Sequence, residues 1–314
     1  MGLDCNGSRA LLWLSRSGVP FTRLGTFGRQ GIWIGQDAMA RNLADFGFAP
    51  VMFPKGSFAE PFFRLLGAQD IVSFDASDYE RSTVVHDFNL PINGDYRECF
   101  DVMFDGGSLE HVFNVPVALA NCMSMVKVGG YYIASHPCNN FFGHGFYQFS
   151  PELYFRVFSP DNGFAVEHLI ACEDFPGAPW FRVADPAGVH SRVILVNGKQ
   201  TYLIVVARKL ASRAQYFARP PQQSDYAAAW ETGQWSDGLT RSNGRHDGLI
   251  RRLIRPLLPT RAREVYAAVR RDREMRDAIR LAHHFEFFDP IVQLRHACDN
   301  GLGLDATKDA QRSR

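Results

Sequence analysis

The stretch Val102–Asn114 reads VMFDGGSLEHVFN and concentrates more chemistry than a packing segment needs. A run of strand formers ends at Asp105, Gly106 and Gly107 follow, and Glu110 and His111 stand just ahead of a helical pattern. Two other apolar runs break in the same way, DIVSFDAS at Asp75 and STVVHDFN at Asp87. In open α/β sheets, ligands lie outside the carboxyl ends of the strands, where the winding reverses. A carboxylate at Asp75 is placed to accept from two adjacent ribose hydroxyls, and one at Asp87 to reach the exocyclic amine of a purine. Together they describe an adenosine site.

The elements that must position these groups follow from punctuation and periodicity. A short helix is expected over Arg9–Ser17, capped by Ser8 and closed by Gly18, and FTRLGTFGRQ reads as a strand running into a turn at Gly28. The next helix starts at Asp37 and ends at Gly47, with Met39, Leu43 and Phe46 on one face. A Pro- and Phe-rich insert follows, with a short helix near Phe58–Leu66. After the three acid-ended strands, Asn114 and Pro116 open a helix that Lys127-Val128-Gly129-Gly130 stops. YYIASHP is the next strand, and Ser150-Pro151-Glu152 opens a helix through Phe158. FAVEHLIACE and SRVILVNGKQTYLIVVARK supply three more strands, the last two joined as a hairpin at Asn197-Gly198. Alternating helices and strands predict an open α/β sheet with a β-rich finish.

The 314 residues, 46% hydrophobic and 21% charged, suffice for a full-sized core plus an appendage. A net charge of +1 gives no global drive towards nucleic acid, and no DNA- or RNA-binding motif is present. The six cysteines form no C-x-x-C pair and no cluster at zinc spacing, so neither a disulfide framework nor a structural metal is indicated, and a reducing cytoplasm fits best. No signal peptide and no apolar run long enough to span a membrane is read. Two regions are expected, a sheet domain over 1–210 and a helical extension over 211–314. Between Ile250 and Leu281 ten arginines face four acids, a net of +6. The favoured reading is a solvated face whose Val265, Ala268, Met275 and Ile279 dock on the main domain. The sharper one is a contact for a phosphate-bearing carrier or a membrane headgroup layer, and oligomerisation is left open.

At these residues the chain resembles the class I S-adenosylmethionine-dependent methyltransferases. The likeness covers Phe21 to Lys209 and is strongest over FDVMFDGGSLEHVFNVPVALANCMSMVKVGGYYIASHP, which is similar to that family's fourth strand, Leu-Glu-His junction, helix, Gly-Gly turn and fifth strand. NNFFGHGFYQFSPELYFRVFS is similar to a segment of bacterial members acting in cell-surface sugar or secondary-metabolite pathways. The resemblance implies a Rossmann-like, seven-stranded, mostly parallel sheet with helices on both faces and an antiparallel last strand. It also implies S-adenosylmethionine as cofactor and a small molecule or sugar as acceptor, methylated on O or N. One loop departs from the family: where an acid and three glycines are usual, this chain offers Thr26, Gly28, Gln30 and Ile32. On this reading Gly28, Arg29 and Gln30 contact the methionine end, Asp75 and Asp87 the adenosine, and Asp105, Gly106 and Gly107 pass under the cofactor.

Methyl transfer from a sulfonium is an in-line displacement, so positioning supplies most of the catalysis. A hydroxyl or protonated-amine acceptor also needs a base, and an imidazole titrating at about 6.5 suits that task. His144, His111 and His136 are the candidates. His144 ranks first because FFGHGFYQF places it between two glycines and among five aromatics, as in a flap over a substrate. His111 is as readily a loop-fixing residue as a base, and His136 is expected at the rim. The competing reading from another class is a catalytically inactive binding or structural partner that kept the fold. A nicotinamide dehydrogenase would want the full Gly-x-Gly-x-x-Gly turn, which is absent.

Overall fold

The structure, a computed structural model, describes residues 2–189, 192–233 and 285–288. The chain divides into two compact units. The first comprises Met1–Arg182, Lys199–Pro220 and Phe287–Arg314, and the second Val183–Gly198 and Pro221–Glu286.

In chain order the first unit contains β1 (Gly2–Leu3), α1 (Cys5–Arg16), β2 (Arg23–Phe27), β3 (Gly31–Ile32), α2 (Gln36–Asp45), α3 (Glu60–Leu65), β4 (Asp70–Asp75) and β5 (Val84–Val85). There follow β6 (Phe100–Asp105), a 3-10 turn over Leu109–His111, α4 (Val115–Met125), β7 (Val126–Asn139) and α5 (Pro151–Val157). The series ends with β8 (Phe164–Glu173), β9 (Trp180–Val183, whose last residue is assigned to the second unit) and β10 (Thr201–Lys209). Across the main sheet the strands run β9-β8-β10-β7-β6-β2-β4-β5, and Phe287, the last residue of a short strand Phe285–Phe287, lies beyond β9. β2, β4, β5, β6 and β7 pair in parallel, whereas β10 is antiparallel to both β7 and β8. This is the Rossmann-like, mostly parallel sheet with an antiparallel last strand that the resemblance implies, with eight strands in the order above where seven were expected, β9 being the addition. The register Phe27↔Phe74, Phe27↔Asp105 and Asp75↔Val85 brings the acid-bearing ends to one rim.

Central parallel strands are buried on both faces, which is why FDVMFD is almost continuously apolar. By the pleat, Val102 and Phe104 of β6 face one way. They join an apolar cluster with Leu11, Leu12, Leu43, Phe62 and Phe63 from α1, α2 and α3. Met103 and Asp105 face the other way. There α4, with Leu119, Cys122 and Met123 buried, packs on β6 and β7. Each large apolar side chain so buried contributes roughly 1.5–3 kcal/mol.

Three local expectations are corrected. α1 begins at Cys5, a turn before Ser8, because Asp4 caps it by accepting the Gly7 N–H at 2.5 Å. Its polar first turn is absorbed tertiarily: Asn6 Nδ2 donates to Glu173 O, Asn6 Oδ1 accepts from Trp180 Nε1, and Ser8 Oγ accepts from Asn42 Nδ2. Lys127-Val128-Gly129-Gly130 does not end α4; the helix stops at Met125, and those residues already belong to β7. The Asn197-Gly198 hairpin is absent, since residues 192–200 form no strand and β10 spends both edges on β7 and β8. The additional strand is β9 instead.

Within the second unit, α6 (Pro186–Val189) packs on α7 (Ser224–Thr232), and Arg192 pairs with Asp225 at 2.7 Å. The expected Arg-rich helices and the C-terminal tail lie outside the described residues. Among the described residues no helix is long and apolar enough to cross a membrane, and Cys5, Cys99, Cys122, Cys138 and Cys172 are unpaired.

Candidate functional site

The end of β6 is built around a carboxylate that never reaches solvent. Asp105 is fully buried; Oδ1 accepts the Ser108 N–H at 2.7 Å, and Oδ2 lies 2.9 Å from His136 Nε2 and 3.5 Å from the Tyr132 hydroxyl. His136, equally buried on β7, places Nδ1 2.5 Å from the Tyr154 hydroxyl. Burial by itself lowers the His136 pKa, but the Asp105 carboxylate, its hydrogen bond and Glu110 outweigh it, so the imidazole stands above its ordinary range. His136, expected at the rim, instead lies beneath it, fully buried between Asp105 and Tyr154, and Asp105 is equally buried at the base of the junction.

Past Asp105 the chain must turn at once. Gly106 lies so close to Gln30 Oε1 that a Cβ would collide with it, and Gly107 has φ +90°. The 3-10 turn that follows buries Leu109 and aims Glu110 inwards. Glu110 is 1% exposed, its Oε1 lies 3.5 Å from His144 Nε2, and its buried Oε2 accepts no hydrogen bond. Burial raises its pKa; His136 opposes that shift and Asp105 adds to it.

His144 arrives on the segment 140–149, which the sequence marked as a flap. The segment is pinned to the turn, since Phe146 N–H donates to Glu110 O at 2.7 Å and the Tyr147 hydroxyl to Phe113 O at 2.8 Å. Gly145, at φ +69°, makes this possible, because a Cβ there would stand 2.7 Å from Glu110 O. The five aromatics divide by role: Phe141 and Phe149 are core, Tyr147 is half-buried, and Phe142 and Phe146 are exposed. The His111 and His144 rings meet edge to face at 5.0 Å.

Glu110, His111 and His144 share the wall of one cavity of about 420 Å³ with Gly106 and Gly107. Asp4, Trp33, Ser135, Asp174 and Tyr202 line it as well, and sequence reasoning missed all five. Trp33 and Asp4 arrive through the two-residue pairing of β1 with β3, too short to leave a periodic signal.

The residues expected to hold a nucleoside stand on a separate part of the rim. Asp75 is half-buried at the end of β4, and its carbonyl accepts the His86 N–H at 2.7 Å, so Asp75 and Asp87 stand on adjacent strand ends. Asp87 is exposed; its Oδ1 accepts from the Asn89 backbone and side chain at 2.9 and 2.8 Å, which lowers its pKa. Gly28 makes the expected turn at φ +71°. Arg29 is engaged elsewhere: it pairs with Glu60 at 2.7 Å, donates to Glu80 O at 2.8 Å and lies over the Phe58 ring. Gln30, 2% exposed, donates to Phe27 O at 2.6 Å and fills the space between β2 and Gly106, leaving Oε1 buried without a donor. Ile32 is buried in β3. None of Asp75, Asp87, Arg29 and Gln30 lines the cavity that holds the histidines.

No protein-family model and no curated protein matches the sequence. Among solved structures, the chain is similar to 1,6-didemethyltoxoflavin-N1-methyltransferase from Burkholderia thailandensis, determined with 1,6-didemethyltoxoflavin and S-adenosylhomocysteine. The two are 14% identical over 65% of this chain and 78% of that one, with a TM-score of 0.37. The trans-methyltransferase CalH, in complex with S-adenosylhomocysteine, is 13% identical over 64% of this chain and 55% of that one, TM-score 0.37. A SAM-dependent methyltransferase from Thermotoga maritima is 15% identical over 63% and 91%, TM-score 0.30.

Proposed function

We propose that the protein is an S-adenosylmethionine-dependent methyltransferase that methylates an O or N atom of a small molecule or sugar in the cytoplasm. The observation that carries this reading is the division of one sheet rim. Asp75 and Asp87 stand on the outer strand ends, and a cavity walled by Glu110, His111 and His144 opens beside the end of β6. The first half suits an adenosine and the second an acceptor.

The residues present fit the adenosine end of the cofactor. Asp75 offers acceptor oxygens to ribose hydroxyls, and Asp87 keeps a carboxylate at the neighbouring strand end for the adenine amine. At the methionine end Gln30 stands where the family carries a glycine, and its Oε1, a buried acceptor without a donor packed against Gly106, would have to turn outwards to meet the ammonium. Bound S-adenosylmethionine would supply an electrophilic methyl group. The chain's own work is to hold the acceptor in line, exclude water and take a proton. His144, half-exposed on the cavity wall, is the group placed to take it. Asp105 and His136 hold the junction from below.

A second reading, a partner that kept the fold without the cofactor, draws on the occupied first loop: Arg29 is tied to Glu60 and Glu80, and Gln30 fills the turn. Titration with S-adenosylhomocysteine separates the two. A methyltransferase gains melting temperature in step with ligand concentration. Asp75→Ala, which removes hydrogen bonds from a charged acceptor worth about 1.5–3 kcal/mol, weakens that binding by roughly tenfold or more. No shift at millimolar ligand would favour the partner, and an unchanged affinity in the variant would misplace the ribose.

A further inference from the structure

We propose that Glu110, His111 and His144 form a binding site for one divalent transition-metal ion, of the zinc, cobalt(II) or iron(II) class, on the cavity wall. One ligand atom from each of the three residues falls within 4.8 Å of the others. The Glu110 Oε1 to His144 Nε2 distance is 3.5 Å. With metal–ligand bonds of about 2.1 Å, two ligands of a tetrahedral ion stand about 3.4 Å apart, so this pair already has the required spacing. Both histidines are exposed, and a rotamer adjustment closes the rest.

The second, independent observation is Glu110 itself. Its carboxylate is 1% exposed and lines the cavity, and Oε2 accepts no hydrogen bond. A buried carboxylate left in this state is costly. The His144 imidazole meets only the other oxygen, and solvent screens that contact. A divalent ion held through Oε1 would neutralise the carboxylate, and a bidentate grip would take up Oε2 as well. Two imidazoles and one carboxylate are also the donor set of borderline metals, while magnesium and calcium prefer oxygen alone.

The backbone holds the set together. Glu110 and His111 come from the 3-10 turn and His144 from the segment clipped to that turn by the Phe146 N–H to Glu110 O bond. Since His111 and His144 stand 33 positions apart, zinc-type spacing in the sequence could not reveal the site. Three protein ligands leave a coordination position for a water or an acceptor hydroxyl, whose proton the metal would make easier to remove. Ion binding is independent of the methyl-transfer reading, but a His144 whose Nε2 holds the ion gives up the proton-accepting role proposed for it, and that role would pass to a hydroxide on the open coordination position.

The test uses the full chain, stripped with chelator and without any adenosyl ligand, so that a failure of cofactor binding cannot affect the result. Co²⁺ is followed by its visible absorption and Zn²⁺ by equilibrium dialysis. Expected is one ion per chain with Co²⁺ bands of a low-symmetry site, and a loss of affinity of at least about tenfold in each of Glu110→Gln, His111→Gln and His144→Gln. Should Glu110→Gln fail to fold, His144→Gln, on the exposed segment, decides the matter with circular dichroism as its control. No uptake by the unsubstituted protein at millimolar metal, or equal affinity in the folded variants, overturns the proposal.

Discussion

Replacing Asp105 by alanine should destabilise the first unit by about 4 kcal/mol. The carboxylate and the His136 imidazole are both fully buried, 2.9 Å apart. Removing one partner of such a pair costs about 3–5 kcal/mol, because the other charge is left unpaired. The Ser108 N–H also loses its acceptor at 2.7 Å, a penalty of about 1–3 kcal/mol for a buried donor. Both losses run through one carboxylate and overlap, so the sum is not taken. At about 2–4 °C per kcal/mol for a domain of this size, the melting temperature should fall by about 8–16 °C. Urea unfolding of Asp105→Asn, His136→Phe and the double variant gives the coupling, expected at about 2 kcal/mol. Its pH dependence has a definite sign. The folded His136 pKa lies above its unfolded value, so the native state binds more protons between the two. The contribution is complete below about pH 6.5, the unfolded value, and is lost as pH rises through the folded one. A coupling below about 0.5 kcal/mol, the level of independent sites, or one that grows towards alkaline pH, would refute the account of the junction.

His144→Ala should slow turnover by roughly 10²–10⁴ while leaving S-adenosylhomocysteine affinity near that of the parent, and equal single-turnover rates would move the proton acceptor elsewhere. Gly145→Ala should cost about 1–2 kcal/mol for the left-handed backbone, and more where its Cβ presses on Glu110 O. Its direct readout is faster amide exchange at Phe146, and unchanged protection would show that the segment is not held there. Asp4 is raised to about 6, chiefly by burial, so above that pH its ionised carboxylate weighs against the fold. Asp4→Asn keeps a side-chain acceptor for the Gly7 N–H and should stabilise by about 1 kcal/mol at pH 8 and by nothing at pH 4, the full shift being reduced because Asp4 retains some solvent contact at the cavity. Urea midpoints at the two pH values that do not differ in this way would contradict the assignment.

Much of the frame was legible in the amino-acid order because it rests on local, repeating signals. Apolar runs closed by Asp75, Asp87 and Asp105, glycines at 28 and 47, and the stripe of α2 each describe a few consecutive residues, and the structure reproduces their elements and the shared rim. Where sequence reasoning went astray, a distant partner had decided the outcome. The first turn of α1 looked like a loop because Asn6, Gly7 and Ser8 are poor helix formers; Glu173, Trp180 and Asn42 supply the hydrogen bonds that keep it helical. Asn197-Gly198 has the composition of a hairpin turn, yet β10 finds better partners in β7 and β8.

The candidate site divides along the same line. Residue types and strand ends nominated Asp75, Asp87, Glu110, His111 and His144 without reference to folding. Only the tertiary structure could separate His136, sealed against Asp105, from His144 on the cavity wall, or turn Gln30 inwards against Gly106. Periodicity records which face of an element is buried. Whether a titratable group on that face meets a counterion, a cavity or nothing depends on side chains tens of residues away, and that was settled when the sheet closed its order and the segment at Gly145 came down on Glu110.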